Sequence, residues 1–369
     1  MTMITTSIRY GTVKSGPTVY YAGYDPGSRI ATLYLCSEDN LDELPLALLT
    51  PSIVGDGIVA DLINTRTTTD PNAPLASLLK KQVYVVEYEG QEYYVGELAE
   101  KEGKNATTAL GASDRYWSLH SLLLLLTLAA ALIPERHFEL RVVTALPVTL
   151  YKARENRNLV KKALEGWYPF RFNGRDREVV IKVGAVVMEG IGALIQCGEE
   201  TGKQAVIDIG ERTIDLVAAE GQTPLGSLCA GDTLGVGQIA DELIREIKQQ
   251  YNGRILSSIE AHEQLYAYAN HKSLPRLSAN QKPVPAEEIR GIIDGAIVRA
   301  GRAINLFISR TWNQEGGTVA SNFSPVLLIG GGLTTLSRRS KHSRWLICRM
   351  IQKMQIPEAT LTWHSPWRA

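Results

Sequence analysis

The sequence has no paired cysteines. Its four, Cys36, Cys197, Cys229 and Cys348, are scattered, and no Cys-x-x-Cys occurs. That argues against a zinc site or a disulfide framework and suits a reducing cytoplasm. Net charge is also absent, because Lys+Arg and Asp+Glu both number 39. No global field therefore draws the chain to nucleic acid or to a membrane, and weak self-repulsion permits self-association. No secretory signal is visible: residues 1–16 form a polar, Thr-rich tail without an apolar core. Nor is there a run long enough to span a bilayer. The nearest, Leu119–Ile133 with consecutive leucines from Leu122 to Leu126, falls short of the roughly 20 residues required. It is predicted to be a helix buried between a sheet and its neighbours.

What is present is a chain of 369 residues, about twice the usual domain size, with the hydrophobic content of a folded protein. Two domains are expected. Val19–Tyr24 reads as a strand entering a turn at Asp25-Pro26-Gly27, and Ile30–Leu35 as the returning strand. Strands are also expected at Val83–Tyr88, Glu92–Val95 and Leu140–Leu146, and a helix at Lys152–Glu165. A second round begins near Val179. A strand to Val187 and a short helix Ile191–Cys197 lead to the buried run Ala205-Val206-Ile207, then the turn Asp208-Ile209-Gly210 and the strand Ile214–Ala219. Gly235–Tyr251 places Ile239, Leu243, Ile244 and Ile247 on one helical face. A loop over His271–Pro285, a long helix Ala286–Trp312 and the strand Val326–Ile329 complete the pattern. The strand, Asp-x-Gly turn and returning strand thus occur twice, 183 residues apart, which reads as an internal duplication.

Three elements carry chemistry. A tight turn between strands aims backbone N–H groups inward, and a glycine lets a phosphate come close. In Asp25–Arg29, Gly27 has that place, Ser28 adds a hydroxyl donor, and Asp25 is set to hold hydrated Mg²⁺. In Asp208–Asp215, two carboxylates bracket a turn containing Gly210 and Thr213. Asp208 suits the ordering of water or metal, and the amides of Gly210–Thr213 suit phosphate oxygens. The third is an apolar strand running into Gly330-Gly331-Gly332-Leu333, where backbone without side chains lets a base or α-phosphate lie against the chain. Each alone is also an ordinary turn or loop. Together they occur in a telling order.

That order resembles the actin, heat-shock-chaperone and sugar-kinase superfamily, with its phosphate 1, phosphate 2 and adenosine loops. Val143-Thr144-Ala145-Leu146-Pro147-Val148 resembles the Leu-Pro strand end of ParM-like (StbA-type) plasmid-segregation proteins. Gly231-Asp232-Thr233-Leu234-Gly235-Val236-Gly237 is similar to the step after phosphate 2, and Tyr93–Ala99 to a Tyr-x-Val-Gly-Glu strand and turn of the same relatives. The resemblance runs from about Tyr20 to Leu333. It implies an α/β, actin-like fold of two ribonuclease-H-like domains around a nucleotide cleft. Domain I would be 17–189, with 334–369 returning to it, and domain II 190–333. It also implies a filament-forming, cytoplasmic ATPase using ATP or GTP and Mg²⁺. Its partners would be copies of itself and a DNA-binding adaptor at a plasmid site, with neither membrane nor direct sequence-specific nucleic-acid binding. Asp25, Asp208 and Glu189 would be catalytic, Asp25 and Asp208 would hold the metal, and Glu189 would polarise the attacking water. Gly27, Ser28, Arg29, Gly210, Arg212, Thr213, Gly235, Gly330, Gly331, Gly332 and Leu333 would bind nucleotide.

The sequence departs from the pattern in places. Glu211 stands where phosphate 2 usually has Gly, putting a negative charge beside a triphosphate unless Arg212 or another neighbour compensates. Arg29 replaces a small polar residue. After Gly332 the basic run Ser337–Arg344 and the tail to Ala369 replace the family's usual ending. Two other function classes stand beside the filament: a monomeric, sugar-kinase-like phosphotransferase, for which no acceptor-side base is evident, and a nucleotide-bound scaffold that does not hydrolyse.

Overall fold

The structure is a computed structural model describing residues 17–38, 45–58, 60, 83–108, 114–197, 202–221, 223–251, 256–279, 282–312, 323, 326–330 and 361–362. Two strands, β1 (Thr18–Pro26) and β2 (Ile30–Ser37), form an antiparallel hairpin in which Asp25 lies opposite Thr32. Alternation decides the faces: Tyr20, Ala22 and Tyr24 are buried, as are Ala31, Leu33 and Leu35 across from them. The chain continues through β3 (Leu46–Pro51), β4 (Ile53–Asp56), β5 (Tyr84–Tyr88), β6 (Gln91–Val95), helix α1 (Glu97–Glu102) and β7 (Lys104–Thr108). A 3₁₀ turn at Arg115–Trp117 precedes α2 (Leu119–Leu132), then β8 (His137–Leu146), α3 (Val148–Tyr151), α4 (Arg154–Leu164), β9 (Gly166–Phe172) and β10 (Arg175–Met188). Among the described residues these strands make one sheet in the order β3-β2-β1-β8-β10-β9-β5-β6-β4-β7.

The leucine-rich helix is core, as its composition implies. Leu122–Leu126 and Leu128 are each at most 6% exposed, because α2 lies on β1–β6 with α4 and the 115–117 turn on its other flanks. An all-round apolar helix needs such enclosure. Each buried leucine contributes about 1.5–3 kcal/mol. The Tyr24 hydroxyl donates to the Ser121 carbonyl at 2.8 Å, fixing the start of α2 against the strand that carries Asp25.

The second sheet repeats the first arrangement. A hairpin of β11 (Lys203–Ile209) and β12 (Ile214–Glu220) follows the short helix α5 (Ile191–Cys197), with Asp208 opposite Asp215. In the first sheet β1 runs parallel to β8; here β11 runs parallel to β17 (Val326–Ile329). Between them come β13 (Thr223–Pro224), β14 (Ala230–Asp232), α6 (Gly237–Gln250), α7 (Ser258–Ala269), the small hairpin β15 (Ser278–Ala279) with β16 (Lys282–Pro283), and α8 (Ala286–Trp312). Ile239, Leu243 and Ile247 of α6 pack with α7, α8 and the inner face of β11 and β12 in one core. Leu361–Thr362 forms β18, parallel to β17 in this second sheet. The remainder of 334–360 and 363–369 lies outside the described residues, as does the tail 1–16.

A separate apolar cluster joins the halves. Val148 and Met188, at the ends of first-sheet elements, pack with Ile191, Leu194, Val206, Val217 and Leu327 of the second. The Asp215 carboxylate accepts the backbone N–H of Val148 at 2.6 Å across this junction. Among the described residues no helix is long and apolar enough to cross a membrane.

Candidate functional site

The two hairpin turns face one another across an open cleft. Its lining includes Asp25, Gly27, Ser28 and Arg29 from the first turn, and Asp208, Gly210, Glu211 and Thr213 from the second. Thr32, Arg115 and Glu189 add polar groups, and Ile30 and Leu49 complete the lining. Both turns have the same length, so the 183-residue spacing relating Asp25 to Asp208 also relates Gly27 to Gly210. A side chain at Gly27 would put its Cβ 2.4 Å from the Ile30 carbonyl, so the turn closes only with glycine. In the second turn the Gly210 N–H donates to the Thr213 carbonyl at 2.8 Å.

Glu189 reaches the cleft from the end of β10, where its N–H donates to the Leu146 carbonyl of β8 at 2.8 Å. Its carboxylate accepts the Tyr116 hydroxyl at 3.2 Å, and the Tyr116 oxygen in turn accepts from Arg115. Arg115 thus stands between the carboxylates and the aromatic ring over which its guanidinium lies, 4.4 Å from the centroid.

The acids perturb one another. Withdrawal from water pushes Asp208 up to about 8, with Asp215 and Asp25 adding like-charge repulsion. Asp25 opens to solvent on the cleft side but is ringed by protein, and that desolvation raises it to about 6 against the opposing pull of Arg115. Desolvation also raises Asp215 to about 7, opposed by its bonds to Val148 and Thr213. Glu189 is driven well above the usual range by burial and by Asp215, Asp25 and Asp208. Like charges crowded in this way favour a cation. Among the described residues, no three acids, histidines or cysteines converge closely enough to hold a metal by themselves. The donor set therefore fits Mg²⁺ held by one or two carboxylates and completed by phosphate oxygens and water.

Not every expected residue lies on the cleft wall. Arg212 is engaged with Asp241 at 2.6 Å, so it does not serve as the countercharge for Glu211. Gly235 lies beneath the second turn. A Cβ there would come 2.2 Å from the Glu211 carbonyl, so only glycine lets the segment before α6 pass so close. Gly330 sits beside Ile209 at the end of β17, while Gly331, Gly332 and Leu333 lie outside the described residues. Arg115, Tyr116 and Thr32 were not among the expected site residues. Arg115 and Tyr116 belong to no spaced motif, and their place follows from the turn that starts α2. Thr32 was legible from its register with Asp25, the counterpart of Asp215 with Asp208.

Comparison with known proteins agrees with this geometry. Residues 50–192 match the family of actin-like protein N-terminal domains. The archaeal actin homolog Ta0583 superposes with a TM-score of 0.65 at 20% identity, covering 95% of this chain and 94% of that one. The fold is actin-like. A ParM filament from Clostridium botulinum gives 0.66 at 17% identity, with 94% of each chain covered. Bacillus thuringiensis ParM with ATP gives 0.57 at 13% identity, again with 94% of each covered. Among curated proteins, none matches this sequence. The actin-like fold explains why two β-hairpin turns, rather than a strand-to-helix loop, form the cleft. It accounts equally for the paired sheets, each with a hairpin flanked by a parallel strand.

Proposed function

We propose that this chain is a Mg²⁺-dependent ATPase, working on ATP or GTP, whose nucleotide state controls self-assembly into filaments. The observation that carries the proposal is the pair of equal-length turns that present Asp25 and Asp208 to one cleft. Asp25 and Asp208 hold the metal, which supplies charge neutralisation for phosphoryl transfer. The amides and hydroxyls of Gly27, Ser28, Gly210 and Thr213 hold the phosphates, and Gly330 onward takes the nucleoside side. Arg29 and Arg115 bring positive charge to a tetra-anionic ligand. Glu189, oriented by the Tyr116 hydroxyl, polarises the attacking water once a cation in the cleft counters the burial and like-charge repulsion that keep it protonated. Positioning and electrostatics do most of the work in such a reaction.

The two units, 17–189 and 190–333, would close on the nucleotide and align surfaces at opposite ends of the molecule, which is what an open filament requires. ParM with ATP and a ParM filament are among the similar structures, and Ta0583 has been solved with ADP. Within this reading the chain is cytoplasmic and meets plasmid DNA through an adaptor. Phosphate release and light scattering, followed together with ATP, ADP and no nucleotide, test the proposal. Hydrolysis with assembly supports it. A monomer that phosphorylates a small acceptor replaces it with a phosphotransferase, and bound nucleotide that is never hydrolysed replaces it with a scaffold.

A further inference from the structure

Glu211 poses a problem of charge. Its side chain is only 5% exposed, yet it lines a cleft that already holds Asp25, Asp208 and Glu189. A buried carboxylate without a partner costs several kcal/mol, and a polyanionic ligand makes matters worse. The expected compensator, Arg212, is occupied by Asp241, and Arg29 of the first turn attracts Glu211 across the cleft without the direct contact that burial demands.

The structure supplies another. His262, one turn into α7, brings Nε2 to 2.7 Å from Glu211 Oε1, and its own side chain is 11% exposed. Its Nδ1 lies 2.6 Å from the Ser258 carbonyl, an atom that only accepts, so Nδ1 carries a hydrogen. The short contact at Nε2 must then hold a second hydrogen, since a bare ring nitrogen and a carboxylate would repel. That hydrogen resides on the ring or on the carboxyl group. In either arrangement the Glu211–His262 pair has zero net charge.

The ring is also held in place. Ser257 and Glu260 form a reciprocal capping box at the start of α7, which fixes the turn that leads into His262. Glu211 is fixed from below, where its carbonyl accepts the Gly237 N–H at 2.8 Å at the start of α6. The pair therefore ties the second phosphate turn to α6 and α7 at once.

We infer that His262 is a positioning residue for nucleotide binding: it neutralises Glu211, so that an acid can stand in the second phosphate turn, and it couples α7 to that turn. The inference rests on the proposed nucleotide cleft. Removing the ring should strand a negative charge beside the phosphates, and the penalty should grow with ligand charge.

The test is a double-mutant cycle of wild type, His262→Ala, Glu211→Gln and the double variant. Binding of fluorescent ATP and ADP analogues is measured at fixed free Mg²⁺, and the melting temperature of each empty protein is recorded. H262A should weaken ATP by on the order of tenfold, and weaken ADP distinctly less. Adding E211Q to H262A should restore most of the lost ATP affinity and of any lost thermal stability. A merely structural histidine would lower melting temperature without discriminating ATP from ADP, and E211Q would not rescue it. Unchanged ATP binding in H262A, or effects that simply add in the double variant, overturns the inference while the proposed function stands. Wild type that binds neither nucleotide overturns both.

Discussion

Asp208 offers a direct measure of what the cleft is built to receive. Desolvation and the neighbouring Asp215 and Asp25 raise its carboxyl to about 8, so at pH 7 it is mostly protonated in the empty protein. A metal bound through this oxygen must expel that proton. Asp25, at about 6, is mostly ionised at the same pH and adds only about a tenth of a proton. Asp215, raised to about 7, and Glu189, raised well above the usual range, also hold protons there, so binding of preformed Mg·ATP at pH 7 should release at least about one proton per protein. Calorimetry in buffers of different ionisation enthalpy reads this number directly, and Asp208→Asn should lower it. The stability of the empty protein follows with a definite sign. The folded carboxyl holds its proton up to about pH 8, whereas the unfolded one loses it near 4. The unfolded state thus binds fewer protons across that interval, and stability falls as pH rises through it. The ceiling is ~6 kcal/mol at ~1.4 kcal/mol per pH unit, and water admitted to the open cleft should screen it well below that. Proton uptake on binding, or a release that Asp208→Asn leaves unchanged, would refute the reasoning.

The other predictions are more compact. Asp208→Ala should abolish hydrolysis in a protein with an unaltered circular dichroism spectrum; normal turnover removes the catalytic assignment. Glu189→Ala should bind ATP normally and lose about 10²–10⁴-fold in turnover, and Tyr116→Phe should lose turnover in the same direction by less. Lost ATP binding in either variant would contradict a role confined to the attacking water. Leu125→Ala, in the enclosed helix α2, should cost about 2–5 kcal/mol in denaturant titration; a loss under 1 kcal/mol would mean that α2 is not core. Polymer should sediment with ATP and Mg²⁺ and much less with ADP or without metal. A monomer at tens of micromolar with ATP would count against nucleotide-gated assembly.

Much of this arrangement can be read without coordinates, and the reasons are physical. The hairpins around Asp25 and Asp208 are legible because apolar alternation stops abruptly at a glycine turn and resumes. α2 is legible because a run of leucines leaves no doubt about burial, and Ala286–Trp312 because its periodicity is long. Other elements hide. β3 and β4 are short, and Pro51 and Ser52 break the apolar run between them. β9 starts at Gly166, a residue that reads as the stop of the preceding helix. α7 mixes Tyr, Gln, His and Ala, so it has no clear apolar stripe, and its capping box at Ser257 and Glu260 is the one local signal. That omission concealed His262, and with it the answer to Glu211. Arg115 was hidden for a different reason: it reaches the cleft through the placement of a turn, which no local pattern encodes.

The bond between Asp215 and Val148 has a mechanical consequence. Asp208 and Asp215 are cross-strand neighbours, one addressing the cleft and the other gripping the amide where β8 ends. Closure of the two halves on a nucleotide would pivot about this junction, one strand's width from the phosphate turn. A lever pivoted so close to its load converts a small displacement there into a large arc at its tips. Loss of a phosphate, an event of a few ångströms, would then be felt most at the outer edges of the molecule. Those edges are where copies of the chain would have to meet.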